Sequence, residues 1–456
     1  MQLILLSGGS GKRLWPLSND SRSKQFLRVL DDNYGQLSSM VQRVWGQLSS
    51  LNLHNSTVIA TSKSQVDMIQ SQIGQDVPLV IEPERRDTFP AIALAAVYLY
   101  SIKGVSLNEV ISVLPVDPYV DKKFFNRVKD LGDALLNTDS DLALLGVKPT
   151  FPSSKYGYIV PKTVNNDMIQ VCHFKEKPTE ERAKQLINQS ALWNCGVFSF
   201  KLNYIISMLE EKGLPIQFDE LVKLYDKLPK NSFDYEVLEK TKSIVALSYD
   251  GYWKDLGTWN TLTEEMATCQ IGKGKVSKDS QNTHLINELD IPIMVLGVSN
   301  VVVAASPDGI LVSDKNASPR IKEMLKDTDP RPMYEERRWG WYRVLDYTKY
   351  KETGKEVLTK RIKVKKGQNI SYQKHELRQE VWTIVNGQGQ AVINGEFKSV
   401  NPGDVLTIAV GTEHAIKANS NLEFIEVQTG TQLIEEDILR ICMDWDEIER
   451  YCGVVK

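Results

Sequence analysis

The sequence predicts an α/β chain whose first domain contains a mainly parallel sheet and whose last domain is an all-β barrel. Over the first two thirds of the chain, short apolar runs alternate with helical patterns. Prolines and charges then cluster in DTDPRPMYEERRWG, residues 327–340, which predicts a linker. Beyond it, short alternating runs are separated by glycine-containing turns, which is the spacing of a small barrel or sandwich.

The strands predicted for the first domain are short runs rich in Val, Ile and Leu. Near-continuous apolar strands are typical of a parallel sheet that is covered on both faces. The runs are QLILLS (2–7), STVIATS (56–62), PLVIEP (78–83), EVISVLPVD (109–117) and DLALLGV (141–147). Apolar residues with helical spacing lie between them, as in SSMVQRVWGQL (38–48) and PAIALAAVYLYSI (90–102).

The last domain is predicted from its turns, which are KKGQN, VNGQG, INGEF, VNPGD and AVGTE. The closing segment, TQLIEEDILRICMDWDEIERY, residues 431–451, is predicted to be helical. We therefore divide the chain into a first domain, a β-rich connecting segment, a linker and a barrel. Their bounds are residues 1–270, 271–326, 327–340 and 341–456.

The composition predicts a soluble protein without a nucleic-acid or membrane partner. With 456 residues, of which 42% are hydrophobic, the chain is long enough for two or three domains. A net charge of −3 gives no basic field for nucleic acid. The longest apolar stretch, residues 291–305, is interrupted by Ser299 and Asn300 and is too short for a membrane span. Five scattered cysteines without a C-x-x-C pair, and an N-terminus without a signal region, predict a cytoplasmic location.

Small residues and cations mark the opening segment, LLSGGSGKRLWPLSNDSRSKQFL, residues 5–27. A strand that ends in a glycine-rich turn presents backbone N–H groups to an anion, and glycines allow its close approach. Arg13 and Lys24 add positive charge, so the segment predicts a site for a nucleoside triphosphate. The alternative is a turn that only connects a strand to a helix, since the Walker A and dinucleotide-binding patterns are both absent. The small residues are Ser7, Gly8, Gly9, Ser10 and Gly11.

A series of motifs resembles the sugar-1-phosphate nucleotidylyltransferases, and specifically their mannose-1-phosphate guanylyltransferase family. The series begins with GGSGKRLWPLS and KQFL in the opening segment. The later motifs are EPERRDTFPAIALAA (82–96), LPVDPYV (114–120), YGYI (156–159), FKEKP (174–178), LWNCGVF (192–198), DYEVLEK (234–240) and WKDLGTW (253–259). The resemblance implies a Rossmann-like nucleotidyltransferase domain that acts on GTP and mannose 1-phosphate. The products would be pyrophosphate and GDP-mannose, a precursor of surface polysaccharide or glycans.

Such a reaction brings two polyanions together, so catalysis is mostly positioning and charge neutralisation. The resemblance implies that Arg13 neutralises the leaving pyrophosphate and that Lys24 bridges the phosphates. It also implies Mg²⁺ on Asp117 and Asp255, whose oxygens suit this ion. Asp117 follows an apolar strand, where ligands bind on parallel sheets. The other implied nucleotide contacts are Glu82 and Asp87, and the implied sugar-phosphate contacts are Gly157, Glu176, Lys177 and Asn194.

Some residues depart from the family pattern. Ser23 stands in place of the proline before Lys24, Asp87 in place of an asparagine, Pro118 in place of a histidine and Cys195 in place of a serine. None of them removes a cation or an implied metal ligand, so the transfer chemistry is retained. Asp87 and Pro118 flank the expected nucleotide pocket, which leaves open a different nucleoside triphosphate or hexose 1-phosphate. An inactive regulator that binds a sugar nucleotide is the alternative from another class.

The last domain resembles the cupin of phosphomannose isomerases, which is marked by Q-x-H-x-H-R-x-E-H-W. This chain has QKHELRQEVW, residues 373–382. The resemblance implies a site for Zn²⁺ or a similar divalent ion, against the alternative of hydrogen-bonded polar residues in a barrel. Leu377 and Val381 replace two motif histidines, and moving a proton between sugar carbons needs an acid/base pair. Isomerase activity is therefore not expected, and a bifunctional enzyme is the alternative. The implied ligands are Gln373, His375, Glu380 and His414.

The connecting segment, residues 271–326, resembles the β-rich segment that follows the family's catalytic domain and is often used for subunit contact. The resemblance therefore implies a homo-oligomer, most simply a dimer. We assign no chemistry to this segment.

Overall fold

The computed structural model describes residues 1–9, 12–32, 35–165, 167–326, 331–435 and 437–453. These residues form two compact units. The first unit contains residues of Met1–Leu14, Ser23–Cys269 and Asp314–Ile321. The second contains Trp15–Arg22, Gln270–Ser313 and the chain from Lys322 onward. Ser10 and Gly11 of the predicted nucleotide loop lie outside the described residues.

The predicted strands and helices of the first unit are confirmed, close to the predicted bounds. Its strands are β1 (Gln2–Ser7), β2 (Leu30–Asp31), β3 (Leu37–Ser38), β4 (Thr57–Ser62), β5 (Leu79–Glu82), β6 (Val110–Pro115), β7 (Pro118–Val120), β8 (Leu142–Val147), β9 (Tyr158–Asn165), β10 (Met168–Lys175), β11 (Leu192–Lys201), β12 (Ile244–Tyr249) and β13 (Trp253–Asp255). Its helices are α1 (Met40–Ser50), α2 (Val66–Ile73), α3 (Thr88–Ser101), α4 (Lys122–Leu136), α5 (Glu180–Asn188), α6 (Leu202–Glu211), α7 (Phe218–Lys223) and α8 (Trp259–Thr263).

A nine-stranded sheet, in the order β5-β4-β1-β6-β11-β8-β12-β10-β9, forms the centre of the first unit. Strands β5, β4, β1 and β6 are parallel, β11 runs antiparallel to β6 and β8, and β12 is parallel to β8. Apolar residues are buried on both faces, with α3 among those on one face and α4 among those on the other. The sheet is thus mainly parallel at β1, where the predicted nucleotide loop begins.

The second unit is built from strands, as the turns of the sequence predicted. The connecting segment contains β14 (Gln270–Ile271), β15 (Gly274–Val276), β16 (His284–Asn287), β17 (Ile293–Val295), β18 (Val301–Ser306) and β19 (Gly309–Asp314). It is followed by helix α9 (Ile321–Met324) and by β20 (Tyr334–Arg337), β21 (Gly340–Lys349), β22 (Glu356–Val364), β23 (Asn369–Lys374), β24 (Arg378–Asn386), β25 (Gly389–Ile393), β26 (Glu396–Val400), β27 (Val405–Ile408), β28 (His414–Ala418), β29 (Leu422–Gly430), β30 (Leu439–Cys442) and helix α10 (Trp445–Tyr451).

Two sheets form the barrel, one in the order β20-β21-β22-β29-β24-β27 and the other in the order β26-β25-β28-β23-β30. Their inner faces bury a core that includes Trp382 and Phe424. Two expectations need correction here. Part of the predicted linker is strand β20, because Tyr334–Arg337 pair with β21. Of the described residues of the closing segment, those of α10 form a helix, and Leu439–Cys442 instead pair with β23 as an edge strand.

Candidate active site and candidate metal centre

The predicted nucleotide loop leaves the carboxyl edge of the parallel sheet. Strand β1 lies between β4 and β6 and ends at the buried Ser7. Gly8 and Gly9 follow and are exposed. Gly9 has a φ of 127°, a conformation that favours glycine. Exposed backbone at this edge of a parallel sheet is where an anionic ligand binds.

Two cations of the loop, Lys12 and Arg13, lie in one short helical turn. Arg13 is exposed in the 3₁₀ turn Lys12–Leu14. Lys12 is half-buried. Arg13 is close enough to Asp255 to contribute to lowering the pKa of that carboxyl group. Arg13 is therefore placed to meet an anion at the same edge.

Lys24, Asp117 and Asp255 meet in one charged cluster, although they are far apart in the sequence. Lys24 Nζ lies 2.9 Å from Asp117 Oδ2 and 3.0 Å from Asp255 Oδ1. The three side chains are about one quarter to one third exposed, at 22%, 26% and 34%. The structure thus brings together three of the four predicted catalytic residues and places the fourth, Arg13, nearby.

A short ribbon of strands holds both carboxylates. Asp117 follows β6 directly before β7, and Asp255 is the last residue of β13. Strands β7 and β13 are antiparallel, and Asp255 pairs with Pro118. This pairing sets the two aspartates side by side, which the sequence spacing alone does not specify. Pro118, which replaces a histidine of the family pattern, is buried in this ribbon.

Electrostatics in the cluster favour the charged forms. Burial alone would raise the pKa of Asp255, but Lys24, Arg13 and Lys155 outweigh burial and lower it. Burial alone would lower the pKa of Lys24, but the two aspartates raise it instead. Lys24 and Asp255 are therefore both charged at neutral pH.

A buried hydrogen-bond network lies beneath the loop, and the sequence did not reveal it. Ser23 Oγ donates to the carbonyl oxygen of Gly9 at 2.9 Å and accepts from Gln65 Nε2 at 2.8 Å. Gln25 Nε2 donates to Ser7 Oγ and to Gln65 Oε1, each at 3.3 Å. Ser23, Gln25 and Gln65 are almost fully buried. A proline at position 23, as in the family pattern, has no hydroxyl group, so Ser23 gives this chain an anchor for Gly9.

Substituting Ser23 by alanine is expected to raise the KM for the nucleoside triphosphate by about tenfold, since a lost buried hydrogen bond costs about 1–3 kcal/mol and ~1.4 kcal/mol is tenfold. The KM for the sugar phosphate should stay unchanged, because the Ser23 hydroxyl group bonds to Gly9 and Gln65, neither of which is a predicted sugar-phosphate contact. Initial rates with each substrate varied measure both constants. Ser207→Ala, which removes a hydroxyl group that bonds Asn203 on α6, is the matched control. An unchanged nucleotide KM in Ser23→Ala would contradict the anchoring role.

The predicted sugar-phosphate residues also lie together. Asn194 donates through its backbone N–H to the carbonyl oxygen of Gly157 at 2.9 Å. A Cβ atom on Gly157 would lie 2.4 Å from Phe174 Cζ and 2.5 Å from Glu176 Oε2. The glycine is thus required by the protein's own packing. Lys177 Nζ lies 2.6 Å from Glu176 Oε1, so this carboxylate and ammonium form a pair.

Asp234 belongs to the same group, although its motif suggested no role for it. Asn194 Nδ2 donates to Asp234 Oδ1 at 3.0 Å, which fixes the orientation of the amide. Burial, with the nearby Glu176 carboxylate, raises the pKa of Asp234 to about 7. Tyr156, which precedes Gly157, has its ring 5.9 Å from the ring of Trp253 on β13, the strand that ends at Asp255.

The other two predicted nucleotide contacts are Glu82, at the end of β5, and Asp87, at the start of α3. Glu82 ends β5 and pairs in register with Ser62 on β4. It is buried and accepts a hydrogen bond from the Tyr225 hydroxyl group at 2.7 Å. Burial raises the pKa of Glu82. Asp87 is exposed and caps α3 by accepting from the N–H of Thr88 at 2.8 Å. Their roles toward a nucleotide remain predictions.

A separate polar cluster lies inside the barrel of the second unit. Ligand atoms of His375, Glu380 and His414 lie within 4.8 Å of one another, and all three residues are buried. Gln373 adjoins them, with Nε2 at 3.5 Å from His375 Nε2, but its Oε1 accepts from Ser371. Three of the four predicted ligands therefore converge as placed, and the Gln373 oxygen does not.

The histidines of this cluster are oriented as metal ligands usually are. His375 Nδ1 lies 2.5 Å from the carbonyl oxygen of Asp437, and His414 Nδ1 lies 2.9 Å from that of Thr412. Each contact leaves Nε2 facing the cluster. Within the part of the chain that the structure describes, His414 Nε2 is buried without a hydrogen-bond partner. Burial lowers the pKa of His375 to about 4, so its imidazole is neutral at pH 7. Neutral nitrogen and carboxylate donors suit a divalent transition metal.

Two partners of Glu380 were not anticipated. Arg378 Nε donates to Glu380 Oε1 at 2.9 Å. Trp382 Nε1 donates to Glu380 Oε2 at 3.1 Å and to Glu426 Oε2 at 3.0 Å. Burial and the charge of Glu380 raise the pKa of Glu426 to about 8. Leu377, in contrast, is 39% exposed and contributes no group to the cluster.

A glycine loop, a lysine and two carboxylates at the carboxyl edge of a parallel sheet define the first unit as a nucleotide-dependent transferase domain. Residues 2–270 match the Nucleotidyl transferase family, and residues 330–443 match the family Mannose-6-phosphate isomerase C-terminal. The chain belongs to the nucleotidyl transferases, in the family of the mannose-1-phosphate guanylyltransferases.

The relatives cover nearly the whole chain. A mannose-1-phosphate guanylyltransferase of Salmonella montevideo is 30% identical, over 96% of this chain and 98% of that protein. The xanthan biosynthesis protein XanB of Xanthomonas campestris pv. campestris is 30% identical, over 96% of this chain and 97% of that protein. The crystal structure of a mannose-1-phosphate geranyltransferase from Thermus thermophilus is 27% identical, with a TM-score of 0.58, and covers 71% of this chain and 98% of that one.

Proposed function

We propose that this chain transfers a guanylyl group from GTP to mannose 1-phosphate, which gives GDP-mannose and pyrophosphate. The observation that carries the proposal is Lys24 held between Asp117 and Asp255, beside the loop after β1. Guanylyltransferases that match over nearly the full length support the choice of substrates. Synthesis of a polysaccharide precursor is the corresponding pathway role, as the name of the Xanthomonas relative suggests.

The two aspartates fit a magnesium ion. Their oxygens converge on one cation, the Lys24 ammonium, at 2.9 and 3.0 Å. Carboxylate oxygens are the donors that Mg²⁺ prefers. When bound between Asp117 and Asp255, Mg²⁺ supplies positive charge that offsets the triphosphate.

Different residues of the site bind the triphosphate and the sugar phosphate. The backbone of Gly8 and Gly9 and the exposed Arg13 bind the triphosphate, and Arg13 neutralises the leaving pyrophosphate. Lys24 offsets charge at the α-phosphate. A phosphate oxygen of mannose 1-phosphate then attacks the α-phosphorus, one P–O bond forms as the bond to the β-phosphate breaks, and pyrophosphate leaves.

On the sugar side, a buried carboxylate and an amide are available to the hexose hydroxyl groups. Glu176 is 6% exposed and Asn194 is 8% exposed, so each hydrogen bond to the sugar forms away from bulk water. Asp234 holds the Asn194 amide in place. Lys177 is half exposed beside Glu176 and binds the sugar phosphate.

A panel of triphosphates and sugar phosphates tests the proposal. Pyrophosphate release should be fastest with GTP and mannose 1-phosphate. If another triphosphate and sugar phosphate release pyrophosphate and this pair does not, the named substrates are wrong. Tight binding of a sugar nucleotide without turnover of any pair would instead indicate an inactive regulator.

We also propose that the barrel binds a divalent transition metal and does not isomerise sugar phosphates. The unpaired Nε2 of His414 beside His375 and Glu380 supports metal binding. Zn²⁺, when bound there, would supply Lewis acidity. Leu377 and Val381 cannot move a proton, which argues against isomerisation. The similarity of residues 330–443 to the family of isomerase C-terminal domains is the observation that favours isomerase activity.

Purified full-length protein is expected to retain near-stoichiometric Zn²⁺ or Co²⁺ down to about pH 5. In the folded, metal-free protein the pKa of His375 is about 4, so protons do not compete with the metal for this imidazole above that pH. Metal analysis of dialysed protein measures it, and His414→Ala should lose the metal. His54→Ala, in the first unit, is the control. Metal-free protein should lose stability as the pH falls below about 6.5. In that range the histidine of the unfolded chain binds a proton while the buried histidine of the folded chain does not, which favours unfolding. Metal-dependent interconversion of fructose 6-phosphate and mannose 6-phosphate would contradict the account.

We further propose a cytoplasmic homodimer. The five cysteines are free thiols, as expected in a reducing compartment. Among the described residues, no helix is long and apolar enough to span a membrane. Strand β19 is a sheet edge with Ile310 58% and Val312 69% exposed, and a second copy of the chain would cover them. A molecular mass in solution of two chains is expected, and a mass of one chain would refute the dimer.

A further inference from the structure

A π-helical turn, Asp234–Leu238, adjoins the predicted sugar-phosphate contacts of the first unit. Its closing bond runs from the N–H of Glu239 to the carbonyl oxygen of Asp234, five residues back, at 3.0 Å. Residues five apart in an α-helix point in directions that differ by about 140°. A bond between residues five apart winds the chain more widely and brings the fifth residue round toward the side of the first. The turn therefore lets Asp234 and Glu239 act on neighbouring groups.

Each of these two acids holds one predicted contact of the hexose. Asp234 Oδ1 accepts from Asn194 Nδ2 at 3.0 Å. Glu239 Oε1 accepts from the backbone N–H of Glu176 at 3.0 Å. One turn thus fixes an amide and a backbone segment that lie on different strands of the chain's order, β11 and the end of β10.

Glu239 has a second partner, which contributes less. Its Oε1 lies 3.1 Å from Lys175 Nζ, and the Lys175 side chain is 47% exposed. Ion pairs that are open to solvent stabilise weakly. The bond to the Glu176 N–H is therefore the contact through which Glu239 acts on the sugar side of the site.

The backbone held by Glu239 is strained one residue further along. Lys177 has a φ of 41°, in the left-handed region that residues other than glycine seldom adopt. It also precedes Pro178, and a residue before proline is normally extended. Strained backbone of this kind persists where neighbouring contacts hold it, and it is frequent at ligand-binding sites. The bond from Glu176 to Glu239 is such a contact.

The strained segment carries the two charges that a hexose phosphate would meet. The Glu176 carboxylate is 6% exposed, and its Oε1 lies 2.6 Å from Lys177 Nζ. Its Oε2 lies 2.5 Å from the position that a Cβ atom on Gly157 would take. The carboxylate is therefore closely confined, and a rotation of the backbone at Glu176 would displace both charges from Gly157 and Asn194.

We propose that Glu239 is a positioning residue for the hexose 1-phosphate. By holding the N–H of Glu176, it fixes the carboxylate that accepts from the hexose hydroxyl groups and the Lys177 ammonium that meets the phosphate. Because Asp234 holds Asn194 from the same turn, the relative placement of these contacts is set by one element, and with it the preference for one hexose. The inference rests on the proposed function for the identity of the sugar phosphate.

Glu239→Ala is expected to raise the KM for mannose 1-phosphate about tenfold, the effect of one lost hydrogen bond to a buried segment, with the KM for GTP unchanged. The ratio of kcat/KM for mannose 1-phosphate to kcat/KM for glucose 1-phosphate should fall at least about threefold, because the carboxylate that distinguishes their hydroxyl groups is no longer fixed. Initial rates with each substrate varied measure these quantities. The ratio does not depend on the folded fraction of the enzyme, so a loss of stability alone leaves it unchanged.

Two further variants separate the hydrogen bond from the charge. Glu239→Gln keeps a side-chain oxygen that accepts from the Glu176 N–H, so it should restore most of the affinity. Glu239→Asp keeps the charge but shortens the side chain by one methylene group, so it should behave like Glu239→Ala. Lys175→Ala removes the solvent-open ion pair and should leave the KM for mannose 1-phosphate unchanged.

Glu236→Ala is the matched control from the same turn. The Glu236 carboxylate lies 3.0 Å from the ammonium groups of both Lys212 and Lys240, and it makes no contact with Glu176 or Asn194 among the bonds of the described residues. Its removal should leave both KM values and the hexose ratio unchanged. An unchanged KM for mannose 1-phosphate in Glu239→Ala and Glu239→Asp, or an equal rise in Glu236→Ala, would overturn the inference.

Calorimetric titration with mannose 1-phosphate measures the same difference in affinity without turnover. Failure of the proposed function is a separate result, because the unmodified chain would then form no GDP-mannose. If the substrate panel selects a different hexose 1-phosphate, that compound takes the place of mannose 1-phosphate in the same set of variants. The role of Glu239 is therefore tested whichever hexose the unmodified chain accepts.

Discussion

Asp117→Ala and Asp255→Ala are each expected to lower kcat by at least about 100-fold, even at saturating Mg²⁺. Each carboxylate is one of only two anionic partners that Lys24 has in the charged cluster. Removing one takes away one of the two carboxylates proposed to bind Mg²⁺, the ion proposed to offset the charge of the two substrates. Steady-state release of pyrophosphate measures the effect.

Matched controls separate this loss from unfolding. The side chains of the cluster are partly exposed, so losing one ion pair should change the free energy of unfolding by about 1 kcal/mol or less. Asp133→Ala removes an exposed carboxylate from α4 and should keep full activity. Asp117→Asn tests whether charge or only shape is needed. Near-normal rates in either alanine variant would remove that aspartate from the proposed magnesium site.

Lys24→Ala is expected to lower kcat by a similar factor, at least about 100-fold. The ammonium is the cation that both carboxylates contact, and the aspartates raise its pKa, so it carries full charge throughout the neutral range. The same substitution should strengthen Mg²⁺ binding in the absence of nucleotide, because the ammonium no longer competes for the carboxylates. Kinetics and a magnesium titration measure the two effects separately.

Lys12→Ala is the control for Lys24→Ala. Lys12 lies in the neighbouring 3₁₀ turn, whereas Lys24 contacts both aspartates of the charged cluster. Its loss should affect kcat much less. Equal losses in the two variants, or weaker magnesium binding in Lys24→Ala, would contradict the role given to Lys24.

Local patterns predicted most of the fold. Apolar runs such as residues 2–7 and 142–147 form buried strands, because few other arrangements bury so many consecutive Val, Ile and Leu side chains. Reliance on local patterns also explains the error in the closing segment. Leu439–Cys442 have neighbours with helical spacing, but pairing with β23 outweighs that preference. Tyr334–Arg337 form a strand for the same reason, since β21 offers an edge.

The site residues were predictable where they stand in motifs that resemble the family. Lys24, Asp117 and Asp255 each lie in such a motif, and they meet in the structure. Partners that act through long-range hydrogen bonds were not predictable. Gln65 reaches Ser23 across 42 residues, and Asp234 reaches Asn194 across 40. Glutamine and aspartate in such sequence contexts are usually exposed, so no local signal marks them.

Tracing the α-phosphate of GTP tests the central claim most directly. Full-length protein is incubated with Mg²⁺, mannose 1-phosphate and GTP that is labelled at the α-phosphate, and the products are separated. The account predicts that the label passes entirely into GDP-mannose, with one pyrophosphate released per transfer and no label left on the protein. Labelled protein, or release of pyrophosphate from GTP at the same rate without mannose 1-phosphate, would contradict direct transfer between the two substrates.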